Sequence, residues 1–402
     1  MRAPSNPASA ARPSPLSRRT LALVALVVGL AYCALTLISI RPYGANLSAL
    51  IAVGDRAGET QPGGLGHRVV IFRHSDGYDG QAYYYVADDP FLRRRTFRDA
   101  FRYQRIGYPL AVWAASWGQR SPRPAAMVGV NIIAAMLVGV LSALLIAYYG
   151  RGASVWWALA CALSPGLLLG VRFDLTEPLM LALSLGALLL YLRGRIAWSA
   201  LLFAAALLTR EAAILFLLPA LAAEMIGRRA ARAVVLAASV VPYLAWQVML
   251  TVTLGGSGAA GSRSNFSAPL AGIAAVISAA RHASPRNALV HQGSILAVAL
   301  LTVAALIVAG LQVRRQPDVV VGGMLAHGVA ALFGAAGIWI AYTSAARVFG
   351  GLFILVILGF ARYRTPAFSL LAGGAIVLSC ITIINIVFLS PVQPYYLTPQ
   401  GS

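Results

Sequence analysis

The stretch Arg73–Pro109, RHSDGYDGQAYYYVADDPFLRRRTFRDAFRYQRIGYP, gathers the residues of this chain best suited to chemistry. It holds Asp76, Asp79, Asp88, Asp89 and Asp99, five of twelve acids, together with seven arginines. Tyr78, Tyr83, Tyr84 and Tyr85 lie among them. Carboxylates that take hydroxyl protons, beside rings that stack on pyranose faces, are what sugar binding requires. The plainer explanations are a helix N-cap for Asp79, a position that favours Asp, and an interfacial aromatic belt for the tyrosines. Capping alone does not account for so many acids in one place. Asp76, Tyr78, Asp79, Gln81, Tyr84 and Asp89 therefore stand as candidate site residues, with Asp79 preceding a short helix from about Gly80.

Arg95, Arg98, Arg102 and Arg105 recur at helical spacing and predict one basic stripe. Such a stripe suits a helix lying on a membrane surface. It equally suits a phosphate, which the planar guanidinium grips with two parallel hydrogen bonds. Arg105, nearest the apolar segment 106–117, is the leading phosphate candidate. Further along, VRFDLTEPLM supplies Arg172, Asp174 and Glu177, and LLTREAA supplies Arg210 and Glu211. Charges are costly at mid-membrane depth, so these are expected near helix ends. There they either form structural ion pairs or line a polar cavity under the first loop. Arg347, alone after AYTSAA, is a weaker candidate for the same phosphate.

What must position these residues is apolar helix. Of 402 residues, 59% are hydrophobic and 11% charged, against roughly 25% charged in soluble domains. Repeated apolar runs of about 20 residues indicate many membrane spans. The net charge is +20, and every base is arginine, since the chain contains no lysine. Much of that charge lies in short loops, which suits anionic lipid headgroups and lipid-linked phosphates rather than nucleic acid. Cys33, Cys161 and Cys380 each sit in an apolar run and predict no disulfide. His67, His74, His282, His291 and His327 show no metal-ligand spacing, and no Walker loop, G-x-S-x-G or H-E-x-x-H occurs.

In order, residues 1–19 read as a disordered cytoplasmic tail, rich in Pro, Ser and Arg. Thr20–Ile40 is too long an apolar run for a signal peptide and predicts a retained first span. Residues 41–124 form a large outer loop, within which 106–117 is too short to cross and is expected to be re-entrant. Spans are expected at 125–148, 153–170, 176–192, 196–208, 212–226, 233–254, 294–312, 319–341, 347–361 and 366–390. TREAA, between 196–208 and 212–226, is alternatively a kink in one long helix. Residues 20–254 make the main module, 255–293 a Gly/Ser-rich outer cover, and 294–402 further helices with a short outer tail. The fold class is all-α and polytopic, with about eleven spans including the first.

The arginines fit this topology. Arg151, Arg193, Arg195, Arg228, Arg229, Arg232, Arg314, Arg315, Arg362 and Arg364 fall in loops assigned to the cytoplasm, as the positive-inside rule asks. Nearly all the acids fall on the other side, with only Glu224 and Asp318 inside. A reactive site on the outer face is the economical reading.

One basic-tailed span, a large outer loop with an early Asp, the segment IGYPL and many short-looped spans resemble the GT-C superfamily of membrane glycosyltransferases. YDGQAYYYVADDPF, with FDLTEPL and LTREAA, is similar to bacterial proteins of cell-surface glycopolymer formation. The resemblance covers most of 20–230. It implies a polyprenyl-phosphate sugar donor, used on the outer face of a bacterial plasma membrane, and a glycan, lipid or protein acceptor. Asp79 matches the first-loop catalytic Asp by position. The D-x-D of some members is absent, since Asp76 and Asp79 are D-x-x-D; a divalent cation, Mg or Mn, stays open. On this reading Asp79 is a general base, arginines neutralise the departing phosphate, and the anomeric carbon is inverted. The competing classes are a flippase or transporter of a lipid-linked saccharide and a non-catalytic scaffold of envelope assembly.

Overall fold

A computed structural model of the chain describes residues 16–56, 69–94, 97–149, 152–282, 292–339 and 341–389. Most of the tail 1–19, Glu59, His67, Arg95, Arg151, His291, part of the cover 255–293 and the segment 390–402 lie outside the described residues. Among the described residues the regular structure is helical apart from one short parallel pair, β1 (Val53–Gly54) with β2 (Ile71–Phe72), and an isolated antiparallel bridge between Phe266 and Gly334.

Helix α1 (Arg18–Ile40) is capped by Ser17, whose hydroxyl accepts from the Thr20 amide at 3.0 Å. Leu23, Leu26, Leu30 and Leu37 are exposed along it, the pattern of a lipid-facing surface. The first loop carries α2 (Asp79–Asp88), α3 (Ala100–Tyr103) and α4 (Gly107–Ala115). Helix α2 starts with an acid in its first turn, which favours the N-terminal dipole end, and it stops before Pro90. Helix α3 has only four residues, so the arginine stripe expected over 95–105 does not share one helix. Asp99 caps α3, accepting from the Arg102 amide at 3.2 Å, and a new helix begins at Gly107. Helix α4, nine residues long, is the short segment expected at 106–117.

The bundle follows as α5 (Arg123–Tyr149), α6 (Trp157–Ala162), α7 (Pro165–Arg172), α8 (Glu177–Leu192), α9 (Ile196–Thr209), α10 (Ile214–Ile226), α11 (Ala230–Ala237) and α12 (Val241–Leu254). The span expected at 153–170 is broken: Ser164 is extended and Pro165 opens a new helix. The chain also leaves helical geometry at Arg210 (φ −163°, ψ 132°), so 196–208 and 212–226 are two helices rather than one kinked one. Short α13 (Gly258–Ser262) and α14 (Ala271–His282) precede α15 (Gly293–Arg315) and α16 (Val319–Leu332). The stretch expected as one span to 341 ends its helix at Leu332, followed by α17 (Ala336–Trp339). Helices α18 (Tyr342–Val348) and α19 (Gly350–Tyr363) meet at a 56° bend. Helix α20 (Pro366–Ile384) closes the described chain with a π-helical turn to Leu389.

Among the described residues, five helical segments are long and apolar enough to cross a membrane, or six with the bent pair α18–α19 counted as one. Helices α8, α9 and α16 are apolar but shorter. The chain is thus an all-α protein with the helices of a multi-pass membrane protein.

Candidate functional site

Two contacts draw the first loop onto one end of the bundle. Gly80 packs on the turn between α7 and α8, where a Cβ would sit 2.4 Å from the Phe173 carbonyl oxygen. Gly107 packs on the end of α9, where a Cβ would sit 2.9 Å from the Thr209 Cα. Only glycine allows either approach. The first contact sets Asp79 beside Glu177, and the second sets Arg105 beside the Arg210 corner.

The result is one connected charge cluster. Asp79 Oδ1 pairs with Arg102 Nη1 at 2.7 Å, and Asp79 Oδ2 accepts from Arg347 Nη1 at 2.7 Å. Arg347 Nε lies 3.0 Å from Glu177 Oε1, and Arg210 Nη1 lies 2.8 Å from the same oxygen. Arg105 grips Glu211 with two bonds, Nε to Oε2 at 3.0 Å and Nη2 to Oε1 at 2.5 Å, and donates from Nη1 to the Tyr83 hydroxyl at 2.9 Å. Asp99, at the rim, is 3.8 Å from Arg102. Phe101 lies under both Arg102 and Arg105, and Tyr78 under Arg347. Glu177 is 1% exposed, whereas the side chains of Arg102, Asp79 and Glu211 reach the surface. Taking such charges out of water costs several kcal/mol each, and only mutual pairing offsets it.

Burial pushes the Asp79 carboxyl up, but the charges of Arg102, Arg347 and Arg105 outweigh it and hold the group well below the usual carboxylate range. Glu211 follows the same balance: burial opposes Arg105, and the group comes down to about 2. The carboxylates of the cluster face cations already present in the chain. Asp79, Glu177 and Glu211 are each engaged by guanidinium groups, and among the described residues no three His, Cys, Asp or Glu side chains converge.

The sequence candidates divide into three groups. Asp79, Glu177, Arg210, Glu211, Arg105 and Arg347 form the cluster, with Tyr78 against it. Arg347 is its hub, a larger place than its isolated sequence position suggests. Arg102 and Tyr83 join as well; in the sequence Arg102 is legible only as one of a stripe. Asp76, Gln81, Tyr84 and Asp89 are elsewhere. The Asp76 side chain is exposed, while Gln81 bridges the loop, donating to the Asp76 carbonyl and accepting from the Gly54 amide. Asp89 accepts from the Arg93 and Arg94 amides at 2.8 and 2.7 Å and shapes the turn after α2. Tyr84 packs under Arg123, which is fully buried and pairs with Asp88 at 2.8 Å. The expected stacking platform is absent, because Tyr83, Tyr84 and Tyr85 are 1%, 6% and 3% exposed. Three successive helical residues point to three sides, and here all three sides are covered.

Asp174 is separate again. It is fully buried, in left-handed backbone (φ 49°), beside Asn131, with no hydrogen bond of standard geometry to either oxygen. Burial pushes its carboxyl well above the usual range, against the opposing pull of Asn131 and Arg172. Asn131 donates to the Tyr108 hydroxyl at 2.9 Å. A cleft of about 10 Å³ between α1 and α7, lined by Tyr32, Ser39 and Arg172 among others, has room for a single water. None of the paired residues of the cluster lines it.

Two further polar clusters mark other helix ends. Glu224 accepts from Tyr191 at 2.8 Å and pairs with Arg229 and Arg232 at 2.7 and 3.2 Å. Asp318 caps α16, accepts from Tyr363 at 2.6 Å and pairs with Arg362. Glu177 and Tyr191 are at opposite ends of α8, about 21 Å apart at 1.5 Å per residue.

Compared with known proteins, no family model, curated protein or solved structure matches the chain. Its class therefore rests on the helices, and its chemistry on the Arg–carboxylate cluster.

Proposed function

We propose that this chain is a membrane glycosyltransferase that moves a sugar from a polyprenyl-phosphate donor to a hydroxyl of a cell-envelope glycan, lipid or protein. The observation that carries this reading is Asp79, near the surface, between Arg102 and Arg347. A base and a set of cations side by side are what phosphate displacement needs. A glycosidase requires a general acid to protonate its leaving group; a phosphate leaves as an anion and does not. Asp79 takes the proton of the acceptor hydroxyl. The acceptor oxygen attacks the anomeric carbon as the bond from that carbon to the phosphate oxygen breaks, and the electron pair leaves with the phosphate. Arg102 and Arg347 neutralise the charge that develops there. Direct attack inverts the anomeric centre.

The placement of the short arginine-rich loops supports a cytoplasmic N-terminus and a cluster on the outer face of a bacterial plasma membrane. A transport path has less to recommend it. Between Glu177 and Tyr191, α8 offers a single polar side chain, Ser184, which is buried. The test is purified protein in lipid vesicles with a labelled polyprenyl-phosphate sugar. Transfer to an acceptor is expected from the wild type and a loss of about 10²–10⁴-fold from Asp79→Asn. Unchanged transfer by a normally expressed Asp79→Asn removes Asp79 from the role.

A further inference from the structure

Each oxygen of Asp79 already carries a guanidinium. Its two carboxylate oxygens are each engaged at 2.7 Å, one by Arg102 and one by Arg347. A carboxylate so clamped is a poor acceptor for a hydroxyl proton. A phosphate placed beside it would draw on the same two guanidinium groups.

Each of these arginines also has a second carboxylate. Arg347 lies 3.0 Å from Glu177 Oε1, the oxygen that Arg210 also approaches at 2.8 Å. Arg102 lies 3.8 Å from Asp99 and rests on the Phe101 ring. An arginine that turns from Asp79 toward an incoming anion therefore keeps a negative partner. No buried guanidinium is left bare, which is the usual obstacle to breaking a buried pair.

We propose that Asp79 is a locked base and that the phosphate of the donor is its key. Binding of the donor moves Arg102 and Arg347 from Asp79 to the phosphate, and only then is the Asp79 carboxylate free to accept the acceptor proton. The order of events follows: donor first, acceptor activation second. In the absence of donor the base is silent. The inference rests on the donor reading given above and adds a rule of regulation to it.

Competition for the same cations has a signature that simple positioning lacks. Removing the charge of Asp79 should release both arginines and tighten the binding of a bare lipid phosphate. The probe is polyprenyl monophosphate without a sugar, titrated into the full chain in nanodiscs, with neutral polyprenol as control. Asp79→Asn is expected to bind the phosphate at least about tenfold more tightly than wild type, the equivalent of one charge-assisted hydrogen bond. Arg102→Gln and Arg347→Gln are expected to bind it more weakly. Equal or weaker binding by Asp79→Asn, with both arginine variants still impaired, overturns the lock and leaves the donor reading standing. No preference for phosphate over polyprenol in any variant overturns both. A measurement on the wild type alone guards against a misfolded variant. Polyprenyl phosphate is expected to shift an aspartate carboxylate band in the infrared difference spectrum, and polyprenol is not; an unshifted band overturns the lock.

Discussion

The Arg347 guanidinium touches Asp79 at 2.7 Å, although the two residues are 268 positions apart in sequence. The same side chain lies 3.0 Å from Glu177, so it joins the first loop to the bundle. A lysine would offer one compact ammonium in place of the planar fork whose Nη1 and Nε reach the two carboxylates separately. Arg347→Lys is therefore expected to lose about 10²–10³-fold in kcat/KM for transfer, with Arg347→Gln losing at least as much. Steady-state rates with a labelled polyprenyl-phosphate sugar provide the check.

Glu177 holds Arg210 and Arg347 on one buried oxygen. Glu177→Gln leaves two cations short of their shared partner and is expected to cost about 3–5 kcal/mol of stability. Thermal unfolding in detergent should show a clear drop. A melting curve that matches wild type would mean that solvent already screens the pair.

Gly80 is expected to be intolerant of any side chain. Gly80→Ala puts a Cβ 2.4 Å from the Phe173 carbonyl oxygen, so α2 must lift from the α7–α8 turn and carry Asp79 with it. Misplacement by about 1 Å is enough to cost about 10²-fold in rate. Activity should fall further than stability does, which kcat and melting temperature measured on the same sample will separate.

The Glu211–Arg105 pair sets an acid limit. Glu211 is lowered from 4.5 to about 2, so its contribution to stability is present above pH 4.5 and is lost as pH falls toward 2. Glu211→Gln should remove that part of the pH dependence. The measurement is melting temperature against pH for both proteins, and parallel curves over this window would contradict the assignment.

Asp174 carries the opposite sign. Its folded carboxyl is held above the usual range by burial. The unfolded chain gives up that proton from about pH 4 upward and the folded chain only at higher pH, so the residue lowers stability as pH rises above that point. Asp174→Asn, which suits the left-handed backbone there, is expected to gain over wild type as pH rises from about 4. A difference in melting temperature that does not change with pH would contradict the raised carboxyl.

Much of the site is legible in the amino-acid sequence. Asp79 can be picked out from the acids and tyrosines crowded around it, and Glu177, Arg210 and Glu211 because charges beside long apolar runs are expected at helix ends. Arg347 stands out in the sequence only as a lone charge near a span start; nothing local to it announces a partner that lies in another part of the chain. The tyrosine run misleads for a different reason. Its composition resembles a stacking surface, but exposure depends on neighbours, and α2 is covered by the rest of the first loop and by α5. The arginine spacing also misleads, because Asp99 caps a helix too late for Arg98 to share it with Arg102. Among the spans, 125–148 and 176–192 match α5 and α8 closely. The break at Ser164–Pro165 is signalled by its proline. The ending of α16 at Leu332, two residues before Gly334, and the bend between α18 and α19 at Phe349-Gly350-Gly351 are marked only by glycines, a weaker signal than proline.

The length of α8 has one more consequence. Sixteen residues make a helix of about 24 Å, while the hydrocarbon core of a bilayer is about 30 Å thick. Hydrophobic mismatch of this size is relieved by a pinched bilayer or by charged groups recessed beneath the headgroups. Either way, the Glu177 end of the helix is brought close to the polar boundary of a bilayer. On the reading proposed above, a lipid-linked phosphate would meet the arginines there without leaving the membrane.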